Sequence, residues 1–170
     1  VGYEAGKSNS TGEANTFVGT IAGANVTTGS LNTAIGTAAL DNNTTGGSNV
    51  AVGRSAMSKN STGSNNVAVG EGALSDKILG SHNVVLGGQA MSYGTNNSFN
   101  VAVGYQAGYL NQTGNANVFL GNNAGAIELG SNKLYIDNSG TTNPLIYGNF
   151  AADSLKINGT LTVNNAYTFP

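Results

Sequence analysis

A period of 17 residues dominates this chain and restricts what it can fold into. Glycines that follow an aliphatic residue recur at this spacing from Gly2 onward, and an alanine comes three residues after each of them. Seven successive intervals of one length, without an insertion, indicate a stack of identical coils and not a globular domain. The structural columns expected from the repeat are Gly19, Gly36, Gly53, Gly70, Gly87, Gly104 and Gly121; Ala22, Ala39, Ala56, Ala73, Ala90 and Ala107; and Asn32, Asn49, Asn66, Asn83, Asn100 and Asn117.

The unit reads N-x-[AFV]-[VIL]-G-x-x-A-[GLM]-x-x-x-x-T-G-x-x, and its positions are numbered here from the asparagine. Two glycines per unit would weaken a helix by roughly 1 kcal/mol each. The stretch before the first glycine, as in Val50-Ala51-Val52, is short and β-branched, which is typical of a strand. The Thr-Gly pair is typical of a turn. We therefore predict an all-β, repetitive β-solenoid (β-roll) of about eight coils.

The predicted solenoid covers residues 1–131, and a β-rich transition segment follows over residues 132–170. After Gly121, Ser131 stands where the column glycine is expected and Leu134 where the asparagine is expected. Coils stacked like strands at about 4.8 Å place identical residues above one another, over a length on the order of 40 Å. The asparagines are then expected to form side-chain ladders along the axis, and the glycines to supply left-handed or closely approached backbone. Because the chain begins inside a unit, the repeat is expected to continue upstream.

The middle position of the strand is apolar in every unit and the flanking positions are apolar in most, so both faces of the sheet need covering. Alternation predicts that the residues on either side of the middle position, such as Val50 and Val52, point into the coil interior. The middle residue would then face outward, where a lone solenoid should carry a polar residue. An outward stripe of small apolar residues predicts contact between identical chains, although small coils could simply tolerate alanine outside. The predicted inter-chain stripe is Phe17, Ala34, Ala51, Ala68, Val85, Ala102 and Phe119.

Units such as the one from Asn49 to Met57 and the one from Asn100 to Gly108 resemble the repeats of phage tail fibres and related bacterial surface proteins. They are also similar to the shorter repeats in the heads of trimeric autotransporter adhesins. The resemblance covers residues 1 to about 131. It implies a homotrimer, an extracellular location on a virion or a bacterial surface, and attachment to a host receptor or glycan. It does not imply a particular receptor.

The residues themselves indicate no catalytic or metal chemistry. Only 8% of the chain is charged, there is no cysteine, and the eight carboxylates are dispersed without following the repeat. His82 is the one histidine and occupies a variable column, which predicts a solvent-facing side chain. We therefore expect no enzyme activity and no cofactor. Six scattered basic residues predict no nucleic-acid partner, and the lack of a long apolar run predicts no membrane insertion.

Other functions stay open at the level of sequence. Columns such as Thr28, Thr45 and Thr62 would suit an ice-binding solenoid, but the neighbouring Ser/Thr column should face the other way in a strand. A glycan-binding solenoid is another reading, because tyrosine faces stack on sugars. The candidate tyrosines are Tyr3, Tyr93, Tyr105 and Tyr109. A secreted filament subunit or a depolymerase fibre would share the same shaft, although the second needs an acidic cluster that this stretch lacks.

Overall fold

A computed structural model describes residues 1–76 and 79–162 of the chain. These residues form one sheet of ten strands that lie side by side in sequence order. The only helical element among them is a short 3-10 turn, Phe150–Ala152. The strands are β1 Thr16–Val18, β2 Thr33–Ile35, β3 Val50–Val52, β4 Val67–Val69, β5 Val84–Leu86, β6 Val101–Val103, β7 Val118–Leu120, β8 Lys133–Ile136, β9 Ile146–Asn149 and β10 Ser154–Ile157.

The first eight strands pair in parallel, each with the next one along the chain. From β1 to β7 every residue pairs with the residue 17 positions later, as Ala51 does with Ala68. Consecutive parallel strands with one strand per 17 residues make a β-solenoid, so the fold predicted from the period is confirmed. Strands β1 to β7 are only three residues long because glycine at position 5 and a turn-forming asparagine at position 1 bound each of them.

The asparagine column forms the predicted ladder inside the coil. The backbone N–H of Asn66 donates to Oδ1 of Asn49 at 3.1 Å, and the amide of Asn49 donates to the carbonyl of Gly63 at 2.8 Å. The same pair of bonds recurs along the stack, and the column side chains from Asn32 to Asn117 are fully buried. The ladder therefore satisfies backbone groups at the corner that leads into each strand, where no strand partner exists.

The glycine and alanine columns are also structural. Glycines at position 5 have φ between +118° and +141°, a region that side-chain-bearing residues rarely adopt. A Cβ on Gly36 would lie 2.6 Å from the carbonyl oxygen of Gly53 in the next coil. The alanines from Ala22 to Ala107 have no exposed surface. Both columns therefore mark places where successive coils approach too closely for a larger residue.

The assignment of strand faces from sequence was wrong. The middle residues point into the coil: Phe17 is half-buried, and Ala34, Ala51, Ala68, Val85, Ala102 and Phe119 are completely buried within a single chain. They cannot form an inter-chain stripe. The flanking residues, including Val50 and Val52, point outward instead. The asparagine decides the side, because positions 1 and 3 of an extended segment share a face and the asparagine side chain is bonded inside.

The small size of the middle residues has its cause inside the coil. Position 9 supplies the large interior side chains, Leu40, Met57, Leu74 and Met91, all fully buried. Where the middle residue is phenylalanine, position 9 is glycine in the same unit and in the preceding one. A Cβ on Gly108 would lie 2.6 Å from the ring of Phe119, and a Cβ on Gly125 would overlap the same ring. Positions 3 and 9 thus share one interior volume.

The C-terminal coil loses one residue. Val118 pairs with Leu134, an interval of 16. The amide of Asn117 donates to the carbonyl of Gly130 at 2.8 Å, and its Oδ1 accepts the N–H of Lys133 at 2.8 Å. Gly130 and Lys133, and not Ser131 and Leu134, therefore stand in the glycine and asparagine columns. The alignment from sequence was wrong here because it kept the 17-residue spacing across the deletion.

Pairing changes from parallel to antiparallel after β8. Strand β9 pairs with β8, and β10 pairs with β9, so that Tyr135, Tyr147 and Lys156 lie next to one another across three strands. The parallel stack thus extends into the predicted transition segment, as far as Ile136. Residues 163–170 of that segment lie outside the described residues. Tyr135 on the last parallel strand and Tyr147 on the first returning strand thus lie over the end of the buried interior.

Candidate interaction surfaces

An apolar strip runs along the outside of the parallel sheet. Its side chains occupy positions 2 and 4 of the unit, and this strip is called the outward face below. The members are Thr16, Val18, Thr33, Ile35, Val50, Val52, Val67, Val69, Val84, Leu86, Val101, Val103, Val118 and Leu120. Six of them, among them Val69 and Val103, remain between 37% and 41% exposed. No charged residue belongs to the outward face, and Thr16 and Thr33 are its only polar members, so covering most of its area would remove apolar surface from water.

The outward face is as large as the largest apolar patch expected on a single chain. Seven strands at about 4.8 Å and two columns of side chains give a strip on the order of 30 Å by 10 Å. Its accessible area is on the order of 300–600 Å², the range of the largest apolar patch on an ordinary monomer. Leu31 and Phe99, which come two residues before β2 and β6, are also 63% and 64% exposed. Such a continuous patch is the strongest candidate interaction surface on the sheet.

Charged and aromatic residues gather at positions 10 and 11, about half a coil away in sequence from the middle of the strand. Lys59 and Asp76 form an ion pair at 2.8 Å, and the rings of Tyr93 and Tyr109 meet edge to face at 4.9 Å. The hydrogen bond with Tyr93 raises the pKa of Tyr109, and the Asp76 hydrogen bond raises that of Lys59. Two of the four tyrosines that the sequence suggested for glycan binding, Tyr93 and Tyr109, are thus in contact.

The remaining two candidate tyrosines stand apart from that pair. Tyr3 belongs to the first coil, and Tyr105 is at position 6, where its hydroxyl contacts the side-chain oxygen of Gln89 at 3.4 Å. Both are more than half exposed. The four tyrosines therefore do not form one binding platform.

The single histidine takes part in no catalytic arrangement among the described residues. His82 is exposed, as its variable column predicted, and its ring stacks on Phe99 with centroids 5.1 Å apart. Three of the eight carboxylates, Glu4, Glu71 and Asp76, are in ion pairs with a lysine or an arginine. In the described ranges no group of three or more His, Cys, Asp or Glu side chains could hold a metal ion. Nothing in these contacts positions a nucleophile beside a base.

The two hydroxyl columns of the ice-binding reading have different environments. At position 13 the hydroxyls donate to carbonyls of the next coil, as Thr27 does to Thr44 and Thr44 does to Ser61, both at 3.0 Å. At position 14 the threonines, such as Thr45, are exposed. The neighbouring position-13 hydroxyls are therefore committed to the coil itself and cannot supply a second free column for a flat Thr-rich face.

A cavity of about 220 Å³ lies beside the antiparallel strands at the C-terminal end. Tyr135 and Tyr147 line it, with ring centroids 5.3 Å apart. Burial is the main reason that the pKa of Tyr135 lies well above that of a free tyrosine. The hydrogen bond that its hydroxyl donates to Glu128 at 2.7 Å raises the pKa further. Sequence reasoning did not find this cavity. Its signal would have been the two tyrosines in the alternating strands after the last coil.

Comparison with family models, curated protein sequences and solved structures finds no match for this chain. Within the described residues no helix has the length and apolar character to cross a bilayer. The assignment of function therefore depends on the repeat, the outward face and the cavity alone.

Proposed function

We propose that this chain is a length of shaft from an extracellular adhesive fibre, a phage tail fibre or a bacterial surface adhesin, in which three identical chains pack side by side. The observation that carries the proposal is the outward face, which follows every strand of a regular parallel stack. The resemblance of the repeat to tail-fibre repeats supports the trimer and the location. In this role the chain has no enzymatic activity: the coils set the length, and the fibre holds host or target contacts away from the particle.

The number of copies, three, is what the resemblance implies, and a closed ring is compatible with the outward face. A stable pairwise interface buries about 800 Å² on each partner, which is more than this strip offers by itself. In a closed ring of three, each chain contacts two neighbours and can also bury the flanking residues Leu31 and Phe99. Identical spacing of the coils lets valine rows of neighbouring chains meet in register. The same symmetry presents each outer residue three times, so weak receptor contacts act together.

Light scattering behind a sizing column tests the proposal. The native chain is expected at about 51 kDa, three times the 17.0 kDa chain mass. Val69→Glu places a charge in the middle of the outward face and should convert the trimer to monomers, because an unpaired charge is costly to bury. Thr62→Glu, on an exposed turn in the preceding coil, is the matched control and should stay trimeric. A native mass near 17 kDa, or a Val69→Glu trimer, contradicts the proposed packing.

The ice-binding alternative has less support. It needs a flat face with two regularly spaced hydroxyl columns, whereas the position-13 hydroxyls already donate within the coil. A filament subunit on a cell surface would use the same outward face. This function and the fibre function differ in the particle that carries the chain, and the coil itself does not distinguish them.

A further inference from the structure

The cavity at the C-terminal end lies where the interior of the solenoid would otherwise be covered by another coil. Tyr135 pairs with Phe119 across β7 and β8, and Phe119 is fully buried in the coil interior. Tyr147 pairs with Tyr135, and Lys156 pairs with Tyr147. Paired residues of a sheet share a face, so the rings of Tyr135 and Tyr147 continue the interior column beyond the last coil, and Lys156 lies exposed at its edge. There the interior opens into the cavity.

The cavity has walls of two kinds. The rings of Tyr135 and Tyr147 form an apolar side, while Thr142, Asn143 and Asn158 supply hydroxyl and amide groups. The loop over the cavity is held in place, because the side-chain amide of Asn158 donates to the carbonyl of Pro144 at 2.6 Å. A volume of about 220 Å³ is smaller than the roughly 300–1,000 Å³ of pockets for drug-sized ligands. It matches a single sugar ring or a molecule of similar size.

The charge around the cavity is positive in a protein whose net charge is −2. Lys156 is one of the lining residues, and Nζ of Lys133 lies 6.0 Å from the centre of the Tyr147 ring. The nearby carboxylate of Glu128 is not part of the lining. Its two oxygens accept the Tyr135 hydroxyl at 2.7 Å and the Gly130 N–H at 2.6 Å.

The other basic side chains of the described ranges have acidic partners. Lys7 pairs with Glu4, Arg54 with Glu71, and Lys59 with Asp76. Among residues 1–76 and 79–162, the two lysines beside the cavity are the basic side chains without a carboxylate within 4 Å. An anionic ligand would supply the missing partner at the place where aromatic and amide groups also converge.

We propose that this cavity binds the carboxylate-bearing sugar unit of an acidic surface glycan, a uronic or a sialic acid. The sugar carboxylate pairs with Lys156, one face of the ring lies against Tyr147, and the hydroxyls bond to the asparagine and threonine groups. This inference deepens the proposed adhesive role by naming the ligand class, and it rests on that role for its biological meaning. The binding site itself is contained in one chain.

Isothermal titration of the full chain with sodium glucuronate tests the site, with glucose as the neutral sugar of similar size. We expect saturable binding at one site per chain and at least about tenfold weaker binding of glucose. Lys156→Gln should weaken glucuronate binding by about tenfold or more while leaving glucose unchanged. Lys59→Gln, which removes a basic group from the shaft, is the matched control and should stay within about twofold of the native chain.

The outcomes distinguish this site from the fibre proposal. Equal binding of the two sugars, no binding of glucuronate, or full binding by Lys156→Gln would overturn the acidic-sugar site while leaving the trimer mass unaffected. Circular dichroism of each variant excludes loss of the fold as the cause. The Val69→Glu chain, which lacks the outward packing, should still bind glucuronate, since no residue of the cavity belongs to the outward face.

Discussion

Substitutions that move side-chain volume from position 3 to position 9 test most directly how the coil interior is packed. Phe119 is fully buried, and its ring occupies the space above Gly108 and Gly125. Phe119→Ala removes the whole ring and leaves a cavity, so the free energy of unfolding should fall by about 3–5 kcal/mol. Gly125→Leu in the native background should also destabilise the chain, because a Cβ there already overlaps the ring.

The two changes should compensate when they are combined. Other coils place leucine or methionine at position 9 with positive φ, as at Leu40 and Met57, opposite an alanine at position 3. The variant Phe119→Ala with Gly125→Leu restores that combination in the last full coil. It should be within about 2 kcal/mol of the native chain, the remainder arising from left-handed backbone at a non-glycine residue. Two destabilising changes would thus become mutually stabilising.

Urea unfolding followed by circular dichroism measures these differences, at one protein concentration because association contributes to stability. The reciprocal control is Ala51→Phe, which should be strongly destabilising because Leu40 and Met57 fill the space on either side of it. If Phe119→Ala costs less than about 1 kcal/mol, or if the double variant is simply additive, the shared-volume explanation of the repeat is refuted.

Three further outcomes follow from the same structure. Asn83→Ala should lower the free energy of unfolding by about 2–3 kcal/mol, because the buried N–H of Asn100 in the next coil loses the Oδ1 acceptor that lies 3.1 Å away. The control Asn96→Ala, at an exposed turn, should change it by less than about 0.5 kcal/mol in urea unfolding. Gly53→Ala should lower stability by at least about 3 kcal/mol in the same assay, because φ is +131° and a Cβ would meet the Gly70 carbonyl at 2.6 Å; a milder effect would show that neighbouring coils can move apart. The folded-state pKa of Tyr135 is raised above its unfolded value near 10, so the residue stabilises the fold below pH 10 and this contribution is lost as the pH rises toward the folded-state pKa. In an ultraviolet titration, Tyr135→Phe should have one late-ionising tyrosine fewer than the native chain. An unchanged titration would contradict the burial of Tyr135.

The columns that bond along the axis could be predicted from the sequence. The columns that contain Asn66, Gly36 and Ala39 recur because every coil has the same backbone geometry at these positions. The residue type at each position indicates that geometry. An asparagine repeated at one period needs only the stacking distance to form a ladder, and a repeated glycine after an aliphatic residue marks close backbone approach. These inferences depend on local chemistry and on translation along one axis, so they needed no knowledge of the cross-section.

The face of the strand could not be settled in the same way. Val50, Ala51 and Val52 are all apolar, and alternation separates two faces without saying which of them is inside. Two features decide it, the burial of the asparagine side chain at position 1 and the presence of large residues at position 9. The second is visible only across coils, since Phe119 meets Gly108 and Gly125 from two different turns of the chain.

The sequence by itself determined the period, the all-β stack and the ladders, because a constant repeat forces identical residues into register. The tertiary structure decided which valines face outward, the place of Gly130 after the deletion, and the cavity between Tyr135 and Tyr147. Each of these depends on contacts between segments whose spacing departs from the repeat or crosses from one turn to another. Periodicity carries no information on such contacts; they are set by the volume and direction of side chains in the closed coil.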